Sequence, residues 1–152
     1  MKNRKLPLTA LLSMMAVIPA AAQTLVADSE PYVNQYITNG TEAYGPLWWD
    51  ALASELVLGV ARPVGEVDEA ALQNVIFFAE VHGKRLNLKP AVPYLLAVYR
   101  DDEREGTRIM ALAALHAIGN RAAMDDLRDG IAREHSPRVK RLTVAALSAY
   151  YR

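Results

Sequence analysis

Apolar side chains recur three and four residues apart in six successive stretches of this chain, and prolines and glycines fall in the gaps between them. That period sets one helix face against a core, and the gaps mark helix ends. The first stretch opens at Pro46 and places Trp49, Leu52, Ala53, Leu56 and Val60 on one face, with Asp50, Ser54, Glu55 and Arg62 on the other, before Pro63 and Gly65 stop it. The second, Asp68 to His82, turns Leu72, Val75, Phe78 and Ala79 inward and ends at Gly83, where a left-handed cap is expected. The third, Ala91 to Arg100, opens with Pro90 and Pro93 and holds Tyr94, Leu95 and Val98. The fourth, Glu105 to Ile118, is apolar almost all round, broken only by Arg108 and His116, and must be covered on more than one side. A more polar fifth runs from Ala122 to Arg133 over Met124, Leu127 and Ile131. A sixth starts at Ser136-Pro137, an N-cap and first-turn pair, with Val139, Leu142, Ala146 and Ala149 inward. No strand alternation of useful length appears, so the fold class is all-α. Ahead of the helices, residues 23–45 hold Pro31, Asn34, Asn39, Gly40 and Gly45 and predict a mostly extended leader, with Tyr32, Val33, Tyr36 and Ile37 able to dock on the core.

The later stretches repeat. Thr107 to Leu115 aligns with Val139 to Leu147 at an offset of 32, sharing a basic second residue, a small fifth one and a closing Ala-Leu. Ala91-Val92 to Leu96 matches Ala122-Ala123 to Leu127 at an offset of 31. The pattern resembles HEAT repeats, in particular the short phycobilisome-lyase-type repeats. Arg108, Ala111, Ala114, Leu115 and Gly119 carry that resemblance in one unit, and Ser136-Pro137, Val139, Lys140, Ala146 and Leu147 in the next. It covers Asp68 to Arg152 and fades toward the N-terminus, where Phe77-Phe78 replaces the small residues. The resemblance implies a short right-handed α-solenoid of about three helix pairs over residues 46–152. Families built this way include scaffolds, adaptors, inhibitors and a few chromophore lyases, so function is left open. Small Ala111, Ala114 and Ala146 would let neighbouring helices approach, while Leu115 and Leu147 fill the space between pairs. Arg108 would pair with a linker carboxylate, Asp101 or Asp102.

Charge places the chain in the cell. Lys2, Arg4 and Lys5 precede an apolar run from Leu6 to Ile18, then Pro19 and Ala20 to Ala22, the order of a cleavable secretory signal over residues 1–22. A run of 13 residues falls short of the ~20 that span a bilayer. Export to a periplasm or to the medium follows, with no stable membrane insertion after cleavage. The whole chain has 17 basic and 17 acidic residues; without the three basic residues of the signal the balance is −3, which disfavours nucleic-acid or anionic-membrane partners. Cysteine is absent, so packing rather than disulfides must hold the fold.

Candidates for chemistry are weak. His82, His116 and His135 lack any Cys, HExxH or His-x-His support for a metal, and His82 sits in a last helical turn where a cation suits the dipole. Ser54, Ser136 and Ser148 lack a Gly-x-Ser-x-Gly frame. Asp101-Asp102 and Asp125-Asp126 read as solvated pairs. No catalytic, cofactor or metal-binding residue is singled out. The interaction surface predicted instead is Trp48, at the edge of its helix's apolar stripe, with Lys140, Val144 and Tyr151, a second stripe on the last helix where a further repeat or another copy would pack. The reading is a non-enzymatic module for protein or peptide interaction. An accessory enzyme or ligand carrier with a pocket between the leader and the Trp48 helix, and a structural envelope component, are the alternatives.

Overall fold

The computed structural model describes residues 31–40 and 44–152; the predicted signal and residues 23–30 and 41–43 of the predicted leader lie outside them. The described residues are all-helical: α1 Pro31–Asn39, α2 Pro46–Val60, α3 Glu69–His82, α4 Val92–Asp101, α5 Glu105–Ile118, α6 Arg121–Gly130 and α7 Pro137–Tyr150, with 3-10 turns at Lys89–Ala91 and Ile131–Arg133. None of these helices is long and apolar enough to cross a membrane.

The expected extended leader is corrected by α1. A nine-residue helix is too short to hold itself together in water. Its first turn is stabilised from outside: the Glu55 carboxylate of α2 accepts the Tyr32 and Val33 N–H groups, each at 3.0 Å, and Val33 is buried against the core. A carboxylate at a helix N-terminus satisfies orphan donors and complements the dipole. That partner lies more than twenty residues along the chain, out of reach of local periodicity.

Side chains cap three further helices, and Asn120 opens α6 by accepting the Ala123 N–H at 3.1 Å. Asp68 accepts from Ala70 N–H at 3.0 Å to open α3, and Ser136 from Val139 N–H at 3.2 Å to open α7. The expected left-handed cap at Gly83 is a second correction. Gly83 stays right-handed, at φ −54°, and a Cβ there would fall 2.4 Å from the Ala79 carbonyl oxygen, so close approach rather than handedness requires glycine. The left-handed cap is at Gly119, φ 66°, after α5.

Helix α2 packs on α3, α3 on α5 and α5 on α7, while α1 covers α2, α4 covers α5 and α6 packs on α7. Buried residues fall in common registers along this stack: Ala71, Thr107 and Val139; Val75, Ala111 and Thr143; Phe78, Ala114 and Ala146; Ala79, Leu115 and Leu147. The offset of 32 therefore relates α5 to α7 in space. Between α4 and α6 the buried pairs are Leu95 with Met124 and Val98 with Leu127, an offset of 29 rather than the 31 of the sequence match. The inward stripe of α7 is turned from the expected one: Thr143 and Leu147 are buried, Leu142 and Ala149 only partly. Burying Thr143 is affordable because its hydroxyl bonds the Tyr99 hydroxyl at 2.8 Å and the Val139 carbonyl at 2.9 Å.

Candidate binding site

The linkers between helix pairs are held by carboxylates that turn back on the chain. Asp102, buried, accepts the Arg104 N–H at 2.9 Å, the Arg104 guanidinium at 2.9 Å and the Gly65 N–H at 3.2 Å. The Arg104 side-chain bond is the main reason its carboxyl is held below the usual carboxylate range. Glu134 occupies the same place one repeat later and accepts the Ser136 N–H at 2.7 Å. Arg108 therefore does not pair with Asp101 or Asp102 as expected. Asp102 is saturated by Arg104 and Gly65, and Arg108 reaches forward to Glu134 while donating to the Tyr99 carbonyl at 2.7 Å. Asp125 and Asp126 lie on a partly exposed face and are also ion-paired: Asp125 accepts from the Tyr151 hydroxyl and pairs with Arg128 at 3.2 Å, and Asp126 pairs with Arg100.

A cluster of rings joins α1, α2 and α3. Trp49 is buried, whereas Trp48 is half-buried, stacked on Tyr44 with centroids 3.6 Å apart, edge-on to Tyr32 at 6.0 Å, with its indole N–H donated to the Gln35 side-chain amide oxygen. Most of the Trp48 ring is thus taken by neighbours from its own chain. His82 lies at the centre: its Nε2 is 2.9 Å from the Tyr36 hydroxyl and its ring packs against Trp49 and Phe78. Burial, then the charge of Arg85, lower its pKa, which favours a neutral imidazole able to accept from Tyr36. His116 is also lowered by burial, against an opposing pull from Glu80. No group of three or more His, Asp or Glu among the described residues could hold a metal ion.

Beside this cluster a solvent-open cleft of about 1170 Å³ lies between the C-terminal ends of α3 and α5, closed on one side by Tyr44 and Gly45. Its wall is the connection from Gly83 to Lys89, which carries Lys84, Arg85 and Lys89 and no acidic residue. Leu86 and Leu88 of that connection are buried and hold it to the core, while Ala117 and Ile118 line the opposite side. The Arg85 guanidinium stands 5.2 Å from the centre of the Trp49 ring. Lys84 and Lys89 are exposed. Sequence periodicity passes over this segment as a gap between helices; its only signal is three cations in six residues without a counter-charge.

The predicted surface on α7 divides. Lys140 and Val144 are exposed along one edge of the buried stripe. Tyr151 instead folds back on α6, its hydroxyl on Asp125 and its ring 5.5 Å and 5.4 Å from the Arg121 and Arg128 guanidiniums. Trp48 belongs to the other end of the molecule, so the four predicted surface residues do not form one patch. Comparison with known proteins finds no family model, no curated protein and no solved structure that matches this chain.

Proposed function

We propose that this chain is an exported, non-catalytic recognition module, a short right-handed α-solenoid of HEAT-like helix pairs whose cleft binds a carboxylate-bearing peptide segment of another protein. The observation that carries this reading is the cationic wall formed by Lys84, Arg85 and Lys89. Part of its charge is answered within the chain. Two helix C-termini face the cleft and contribute roughly −0.5 each, and Glu80 adds one negative charge. Three cations against these leave about +1, with Lys84 and Lys89 on long exposed side chains able to follow a ligand while Arg85 stands over Trp49. The size also favours a peptide: an open cleft of about 1170 Å³ exceeds the ~300–1000 Å³ that encloses a typical small ligand.

Fluorescence anisotropy with a Glu-rich peptide, and a Lys-rich peptide as control, tests the proposal. The acidic peptide should bind more tightly, and K84E/K89E should weaken it by about tenfold or more, ~1.4 kcal/mol, with an unchanged circular dichroism spectrum. Equal affinity for both peptides, or full affinity in the folded double variant, refutes it.

A further inference from the structure

The two ends of the helix stack are complementary to each other. At one end, α5 and α7 can be compared position by position at their offset of 32. Arg108 and Leu112 of α5 lie on a closed face, where Leu112 is 3% exposed and Arg108 is engaged with Glu134. The same registers in α7 are Lys140 and Val144, and there the face is open: Val144 is 49% exposed and Lys140 is exposed. The face that joins one unit to the next is thus presented on α7 without a neighbour among the described residues. From Pro137 to Arg152 the chain has no acidic residue; Arg138 pairs with Glu105 of α5 at 3.6 Å, which leaves Lys140 and Arg141 to set the charge of the open face. Two such faces would repel each other.

At the other end, α2 turns Trp49, Leu52, Ala53, Leu56 and Val60 toward the core and Glu55 toward α1. Its remaining face carries Leu47, Asp50, Ser54 and Leu58, with Leu47 84% and Leu58 69% exposed. Helix α2 has Asp50 and Glu55 and no cation. This face is apolar at both ends and acidic in the middle, the counterpart of the basic and apolar α7.

We propose that the α7 face of one molecule docks on the α2 face of a second copy, with Lys140 and Arg141 against Asp50 and Val144 against the exposed leucines. Such a contact is heterologous: each copy keeps one free face of each kind, so association continues into a ring or an open chain rather than stopping at a symmetric pair. Like charges disfavour both symmetric alternatives, α7 on α7 and α2 on α2. The contact involves none of the cleft residues and is independent of the peptide-binding proposal.

Sedimentation velocity of the purified chain over a concentration series, at low and high salt, tests it. Wild type should associate with rising concentration and dissociate with rising salt. D50K alone and K140E/R141E alone should each raise the dissociation constant by about tenfold or more. Mixing these two variants should restore association beyond a dimer, because the intact faces match and the two charge-reversed faces again carry opposite signs. A monomer at all concentrations overturns the proposal, meaning that something else covers these faces. Loss of association in K140E/R141E but not in D50K overturns it in favour of a symmetric α7 contact. Dissociation of both variants alone, with no recovery of association in the mixture, also overturns it.

Discussion

At the residue scale, the buried polar groups show how closely the core accounts for its hydrogen bonds. Thr143 and Asp102 are buried and fully engaged. Thr107 is buried too, yet its hydroxyl has no partner. Its register in α7 is held by Val139, of nearly the same shape and equally buried. Thr107→Val should therefore raise stability, by about 1 kcal/mol, since an unpaired buried hydroxyl costs that order of free energy. Urea unfolding monitored by circular dichroism will measure it, and a destabilised variant would show that the hydroxyl has a partner after all. The Thr107–Val139 pairing was legible in the sequence as part of the repeat. Which of the two residues leaves a polar atom stranded was not, because that depends on what packs around it.

At the element scale, the six long stretches and the helices they predict agree to within one or two residues at most ends, because each carries its own core stripe and its own Pro, Asp, Ser or Gly boundary. Helix α1 differs in kind. Nothing within residues 31–39 outweighs the cost of nucleating so short a helix; the Glu55 carboxylate and the ring cluster do so from a distance. Glu55→Ala should release α1, costing about 1 kcal/mol of the cap. Hydrogen exchange at the Tyr32 and Val33 amides should accelerate while amides in α5 remain protected. Uniform acceleration in both helices would mean that α1 folds with the whole and has no separate hold. The cleft is also an element-scale result, since its wall is a connection that periodicity treats as a gap.

At the scale of the whole molecule, His82 and His116 link folding to pH. Both have folded pKa values below the ordinary 6.5, chiefly through burial. A depressed histidine favours the neutral folded state, so its contribution is complete above pH 6.5 and is lost as pH falls through the folded value. Asp102 acts later and in the same sense, losing its ion pair with Arg104 as pH falls from its ordinary 3.8 through the lower folded value. The melting temperature should therefore fall in two stages on acidification, and H82Q/H116Q should remove the first and keep the second. An unchanged first stage in that variant would assign it to other groups.

Sequence alone determined the helical class, most helix boundaries and the 32-residue register between α5 and α7, because the spacing of apolar residues and the chemistry of caps act over a few neighbouring positions. Tertiary structure decided the rest. Arg108 goes to Glu134 because Asp102 is already occupied, α1 forms because Glu55 reaches it, and Tyr151 lies back on the surface of α6 because Asp125, Arg121 and Arg128 receive it. Each of these outcomes rests on a contact between residues more than twenty apart in sequence, which only the folded chain brings together.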